Sequence, residues 1–213
     1  MSIPLSFRPS RTALTATFVA MLGFTVAAQS QRGSIETSSL FASLELKPGQ
    51  TVGEIGAGKG ELTLEAARTV GGQGKVLTSE LGEDRVKQLQ SVVQSSGLTH
   101  ISVVTGDPNK TNFPESCCDA IFMRNVYHHF ADPAAMNASI AQSLKPGGYV
   151  AVVDFQPNRG RAEAGRPADR GRDDSHGVSP TSVARELREA GLAIVRTEPG
   201  ADRWFMVVAM KPR

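Results

Sequence analysis

The sequence predicts an α/β fold in which a mostly parallel sheet is covered by helices on both faces. Three observations carry this. Apolar stretches of strand length alternate with longer segments of helical spacing across residues 51–155. The strand-length stretches are apolar throughout, as strands buried on both faces are. Three glycines at alternate positions, Gly56, Gly58 and Gly60, stand directly behind the first such strand. That is where a parallel sheet hands its chain to a helix and where ligands approach.

The elements follow in order. Residues 34–46 (SIETSSLFASLEL) read as a short helix with Ile35, Leu40, Phe41, Leu44 and Leu46 apolar. Lys47, Pro48, Gly49 and Gln50 make a turn. Residues 51–55 are a first strand. Residues 61–70 are rich in helix formers, with Leu62, Leu64, Ala66, Ala67 and Val70 at apolar spacing, and Gly71-Gly72-Gln73-Gly74 stops them. A second strand covers 75–79. An amphipathic helix covers 83–95, with Val86, Leu89, Val92 and Val93 on one side and Gly97 beyond its end. Strands at 101–105 and 120–123 follow, then a helix over 133–144. A second Lys-Pro-Gly turn, 144–148 (LKPGG), leads into a fifth strand over 149–155. A helix over 180–190 ends at Gly191. Strands over 192–197 and 204–210 close the chain, and a hairpin between them places an antiparallel strand in the sheet.

Two segments break the pattern. Residues 156–177 hold five Arg and four acids and almost nothing apolar. Such a stretch buries too little surface to order itself, and the expectation is a flexible loop over 157–177 acting as a lid at the rim of the site. At the other end, MSIPLSFRPSRT carries Arg8 and Arg11 and no acid. Residues 13–28 are uncharged and mostly apolar, and they close on Val26-Ala27-Ala28. A basic start, an apolar middle and a small-residue close predict a signal peptide over 1–28. The apolar run is shorter than the roughly 20 residues of a membrane span. The expected location is therefore exported, periplasmic or secreted, if the leader is cleaved, and otherwise anchored to the membrane by residues 13–28. The expected organisation is a signal peptide over 1–28, an N-terminal helix and linker over 29–46, and the folded domain over 47–213.

Composition narrows the function classes. The chain has 213 residues, of which 40% are hydrophobic and 21% charged, an ordinary globular balance. Loss of 1–28 removes two Arg and no acid, leaving 21 basic and 21 acidic residues. The basic excess of a nucleic-acid binder is missing, so no such partner is expected. Cys117 and Cys118 are adjacent, and metal sites use spaced pairs with further ligands, so no metal is expected. The pair is read as small buried packing residues at a strand entrance, with a vicinal disulfide as the alternative.

The chemistry concentrates in VGEIGAGKGEL. Nicotinamide and flavin sites use G-x-G-x-x-G, with the pyrophosphate on the helix N-terminus. Here the third glycine comes one position early, and Glu54 lies two residues ahead of Gly56. An acid at that place repels a pyrophosphate and suits a cationic ligand. Glu80 closes the second strand, expected to be an exposed strand end, where a carboxylate can accept both hydroxyls of a ribose. Asp107 closes the third strand, where it can accept from an exocyclic amine such as that of adenine. Each acid alone could be a helix cap; three at consecutive strand ends argue for a ligand.

This set resembles the class I S-adenosylmethionine-dependent methyltransferases. VGEIGAGKG looks like their first motif, with Glu54 as its acid, Glu80 matching the ribose acid and Asp107 the adenine acid. The resemblance covers about residues 46–210. Gly53 departs from it, since a large apolar residue is usual there; the departure predicts looser packing without loss of a ligand contact. The run from Asn112 to Phe155 is similar to the ubiquinone/menaquinone biosynthesis C-methyltransferases and their small-molecule relatives, in Phe113-Pro114, Asp119, Arg124-Asn125-Val126, the 144–148 turn and Asp154. The resemblance implies a Rossmann-like, doubly wound, seven-stranded sheet with the last strand antiparallel. It also implies S-adenosyl-L-methionine as cofactor, held by Glu54, Gly56, Gly58, Gly60, Glu80, Asp107 and Asn125, and a small-molecule acceptor.

Methyl transfer from a sulfonium needs positioning and water exclusion, with a base only if the acceptor must lose a proton. The candidates after the fourth strand are Tyr127 and His128, with Asn125 and His129 beside them and His176 on the lid. Capping or packing of the following loop is the alternative for both histidines, and a pocket wall for Tyr127. Three functions remain open: a small-molecule methyltransferase, a non-catalytic cofactor-binding or scaffold protein of the same fold, and a nicotinamide-dependent oxidoreductase. Glycine spacing and Glu54 count against the last.

Overall fold

The computed structural model describes residues 35–157 and 177–213, all within the compact unit Gln31–Arg213. The leader over 1–28, and residues 158–176 of the expected lid with His176, lie outside the described residues.

The helices are α1 Thr37–Ser43, α2 Glu61–Val70, α3 Glu83–Ser95, α4 Pro133–Ser143 and α5 Pro180–Glu189. The strands are β1 Thr51–Ile55, β2 Lys75–Glu80, β3 Ile101–Thr105, β4 Cys118–Arg124, β5 Leu144–Phe155, β6 Ala193–Pro199 and β7 Trp204–Met210, and a single 3₁₀ turn covers Tyr127–His129. Caps account for several boundaries. Asp132 accepts from the Ala135 N–H at 3.0 Å, with Pro133 opening α4. Ser179 does the same for Ser182 at the start of α5.

The sheet order is β3-β2-β1-β4-β5-β7-β6. β1 to β5 pair in parallel, and β7 runs antiparallel between β5 and β6. The expected seven-stranded, doubly wound sheet is therefore present, with the hairpin tail inserting its second strand next to β5. Order reverses between β1 and β4, which opens a crevice at their carboxyl ends.

β5 shows why its sequence is apolar throughout. Val150 and Val152 face α4 and α5 with Met136, Ile140, Val183 and Leu187, while Ala151 and Val153 face Leu40, Phe41, Ala66 and Val70 of α1 and α2. A strand packed on both faces has no polar side to alternate with.

Three local expectations are corrected. The 144–148 segment is not a separate turn: β5 begins at Leu144, and its pairing with β4 jumps from Cys118↔Leu144 to Ala120↔Tyr149. The intervening residues bulge, with Gly147 at φ +81°, and Lys145 Nζ meets both Asp119 carboxylate oxygens at 2.8 Å. Gly53 is not a gap in the packing. A Cβ there would lie 2.7 Å from the Phe113 ring, so Phe113 occupies the space of the missing side chain. Cys117 and Cys118 are joined as a vicinal disulfide rather than being two packing thiols, although Cys118 is fully buried at the entrance of β4.

Candidate functional site

A cleft of about 860 Å³ lies at the carboxyl ends of β1, β2 and β4 and beside the loop after β3. Its lining includes Glu54, Gly56, Gly58, Glu80, Asp107 and Asn125. The structure thus brings the expected cofactor residues to one place, with Gly60 set just behind as the N-cap of α2 at φ +78°.

The glycines serve different needs. Gly56 has φ +72°, and a Cβ on it would come 2.5 Å from Val126 Cγ2, so a side chain is excluded by conformation and by contact. Gly58 has φ +55° and nothing within 4 Å of its Cβ position, leaving open space above the backbone. The loop is anchored to β2 beneath it. Gly56 and Ala57 donate to the Ser79 carbonyl at 2.9 Å, Gly58 donates to Glu80 Oε2 at 2.6 Å, and Gly60 donates to the Ala57 carbonyl at 2.9 Å. Two carboxylates, Glu54 and Glu80, stand beside this loop, a setting that counts against a pyrophosphate and so against the nicotinamide reading.

Glu80 was expected at an exposed strand end; it is instead buried. Oε1 accepts from Leu81 N–H at 2.9 Å and lies 3.8 Å from Arg85 Nη1 at the rim. Burial follows from its second task, holding the glycine loop. Leu81, next to it, is 47% exposed and lines the cleft, an apolar surface that sequence reading did not single out. Asp107 is half-buried and closes a local turn by accepting from Asn109 N–H at 2.8 Å.

Glu54 lies on the cleft floor, 3% exposed. Thr63 Oγ1 donates to its Oε2, and Thr78 Oγ1 donates to the same oxygen at 3.2 Å. Burial raises its carboxyl from 4.5 to about 7; the two threonine bonds and the Arg124 charge oppose this, and Glu80 adds to it. Arg124, at the end of β4, also lines the cleft and was not foreseen as a site residue. Its Nη2 donates to the Ile35 carbonyl at 3.0 Å, tying the start of the described chain to the cleft edge. Burial holds this guanidinium below its ordinary range, against the pull of Glu65 and Glu54.

The two catalytic candidates do not line the cleft. Tyr127 is fully buried, its hydroxyl donating to Glu186 Oε2 of α5 at 2.9 Å and accepting from Asn137 Nδ2 of α4 at 2.7 Å. It is a tie between helices, not a pocket wall. His128 is also fully buried. The carboxylate orienter that sequence reading did not find is Asp154 of β5, which accepts from the His128 N–H at 3.1 Å and pairs with Nδ1 at 2.9 Å. The available signal was an acid closing an otherwise apolar strand. His129 is the neighbour that reaches the cleft, exposed, with Val126, Phe130 and Met136 on the same wall. Asn125 lines the cleft with φ +59°, its N–H held by the Val153 carbonyl at 2.8 Å.

Residues 53–152 match the family model described as "Methyltransferase domain". The chain is similar to the ubiquinone/menaquinone biosynthesis C-methyltransferase UbiE of Vibrio campbellii, 27% identical over 110 residues, covering 51% of this chain and 42% of that protein. It is also similar to the UbiE of Escherichia coli O1:K1, 28% identical over 111 residues, with 52% and 44% covered. It thus spans less than half the length of these curated relatives. Among solved structures, one titled as a SAM dependent methyltransferase from Aquifex aeolicus superposes with a TM-score of 0.72 at 26% identity, covering 83% of this chain and 89% of the other. With the sheet order and the strand-end acids already described, these matches support reading the chain as similar to the class I S-adenosylmethionine-dependent methyltransferases.

Proposed function

We propose that this domain, residues 47–213, transfers a methyl group from S-adenosylmethionine to a small-molecule acceptor. The observation that carries the reading is the row of acids, Glu54, Glu80 and Asp107, at or just beyond the ends of β1, β2 and β3 around one cleft. Bound there, S-adenosylmethionine supplies an activated methyl together with its own leaving group. Glu80 accepts the ribose hydroxyls, Leu81 offers the base an apolar face, and Asp107 accepts from the base amine. Glu54 sets a negative potential under the cationic end. The acceptor rests against Val126, Phe130 and Met136, which orient it and exclude water. Where the acceptor must lose a proton, His129 takes it at the cleft wall. Tyr127 and His128 act behind the wall by holding it in place.

Transfer of a labelled methyl group into a small-molecule extract, together with calorimetry of S-adenosylhomocysteine against NAD, tests this. Label in the extract and tight S-adenosylhomocysteine binding support it. NAD binding alone, or label confined to nucleic acid or protein, overturns it. We further propose that residues 1–28 direct export, and mass spectrometry of the native protein's N-terminus tests that. A start near residue 29 supports cleavage, and an intact leader indicates anchoring by 13–28.

A further inference from the structure

Tyr127, His128 and His129 form the 3₁₀ turn that follows β4. With three residues to the turn, their side chains point about 120° apart, so fixing two of them fixes the third. His128 is held by Asp154 of β5. Tyr127 is held through its hydroxyl, which donates to Glu186 Oε2 of α5 at 2.9 Å and accepts from Asn137 Nδ2 of α4 at 2.7 Å. Because Asn137 already donates to the tyrosine oxygen, the hydroxyl proton is directed to Glu186. A carboxylate accepts such a proton more strongly than a neutral oxygen does. Glu186 stands beside Leu187 and three residues after Val183, both of which pack in the core behind the cleft wall, and its side chain is mostly buried. Its Oε1 lies 3.4 Å from Arg185 Nη2, and Arg185 Nη1 meets Glu189 at 3.0 Å.

Resting on the methyl-transfer reading above, we propose that Glu186 is a positioning residue for the acceptor wall: through the Tyr127 hydroxyl it sets the rotation of the 127–129 turn and so presents His129 and Phe130 to the cleft. The wall is assembled from two elements. Val126, His129 and Phe130 belong to the turn and its flanks, and Met136 belongs to α4. The Tyr127 oxygen joins both elements to α5, since Asn137 is the residue after Met136. The Tyr127 ring packs on Phe130 with centroids 5.0 Å apart, and the His128 ring packs on His129 at 3.9 Å. A rotation of the turn therefore reaches both cleft residues by direct ring contact. The cofactor side is held separately, by the bonds from the glycine loop to Ser79 and Glu80 of β2. Loss of Glu186 leaves a buried hydroxyl without an acceptor for its proton, and the turn relieves that cost by turning Tyr127 toward another partner. An acceptor misplaced by about 1 Å reacts up to about a hundredfold more slowly.

Nuclear magnetic resonance of the full chain carrying isotope-labelled histidine reads the wall without turnover, with the His129 ring signals assigned through His129→Gln. In Glu186→Ala the His129 signals should shift or broaden. Those of His100, which meets the Ala67 carbonyl of α2 at 2.9 Å, should stay in place. S-adenosylhomocysteine should bind within about twofold of wild type, as expected for a distant site. Labelled methyl transfer from S-adenosylmethionine into the small-molecule extract should fall about tenfold to a hundredfold. Glu186→Gln keeps an acceptor oxygen and should restore the His129 signals and most of the transfer. Tyr127→Phe keeps the ring and removes the hydroxyl, so it should reproduce the alanine pattern; it carries the comparison if Glu186→Ala does not fold. Unmoved His129 signals in the folded variant overturn the proposal. So does a loss of S-adenosylhomocysteine affinity as large as the loss of transfer, which marks a general loosening of the fold. A wild type that neither binds S-adenosylhomocysteine nor transfers label sinks the methyl-transfer reading instead, while the His129 signals still judge the link to Glu186.

Discussion

The backbone N–H of Gly58 donates to the Glu80 carboxylate at 2.6 Å, so the open glycine of the loop and the acid expected to hold the ribose are one unit. A ligand that engages Glu80 therefore also meets a loop whose position Glu80 sets. Glu80→Ala is expected to weaken S-adenosylhomocysteine binding by roughly 2–3 kcal/mol, the scale of hydrogen bonds to a charged group. It should also lower stability by about 1–3 kcal/mol, because Gly58 N–H loses its acceptor. Calorimetry and denaturant titration of the same preparation check both. Unchanged affinity with lowered stability would make Glu80 a loop clamp alone.

Gly56 and Gly58 should respond differently to alanine. Gly56→Ala brings a Cβ into Val126 at positive φ, and the fold is expected to lose roughly 1–3 kcal/mol. Gly58→Ala meets open space and should cost stability only the roughly 1–2 kcal/mol of a left-handed non-glycine residue. Its methyl projects where a ligand approaches the backbone, so its binding defect should exceed its stability defect. Urea midpoints and ligand affinities for the pair decide this.

Asp154 accepts from three donors in a fully buried place: the His128 N–H, His128 Nδ1 and the Phe155 N–H. Asp154→Ala leaves them without an acceptor and should destabilise the protein by roughly 3–5 kcal/mol, as the loss of a buried, hydrogen-bonded charge does. Asp154→Asn, which keeps an acceptor oxygen, should cost less. Thermal unfolding distinguishes them, and equal losses would point to packing alone.

Glu54 makes a pH prediction with a definite sign. Its folded carboxyl lies near 7 against 4.5 unfolded. Below 4.5 both states hold the proton and nothing is contributed. As pH rises toward 7 the unfolded state releases it first, so stability falls over that window, by on the order of 2–3 kcal/mol. Glu54→Gln removes this slope, so the stability difference between variant and wild type should widen in the variant's favour from pH 5 to pH 8. Denaturant titration at each pH measures it, and parallel curves for the two proteins would contradict it.

Most of the fold was legible in the sequence because its signals are local. Apolar runs bounded by glycines and prolines placed β1 to β3, α2 and α3, and the glycine triplet marked the strand-to-helix turn by its backbone demand alone. The acids Glu54, Glu80 and Asp107 were found because each stands at or just after the end of a recognisable strand, and a parallel sheet brings such ends together. The 144–148 segment was misread because a bulge and a turn share the same residues; pairing with β4 separates them.

The sequence alone determined an α/β chain with acids gathered at one end of a sheet, since periodicity, glycine conformation and strand polarity follow from residues within a few positions of one another. The tertiary structure decided which way the side chains after β4 turn. Tyr127 meets Glu186, 59 residues away, and His128 meets Asp154, 26 residues away, so both leave the cleft and His129 remains on its wall. It also decided that Phe113 fills the space above Gly53 and that Glu80 is buried against the glycine loop. These outcomes depend on hydrogen bonds and contacts made across the sheet, which buried polar groups must satisfy and which no local pattern encodes.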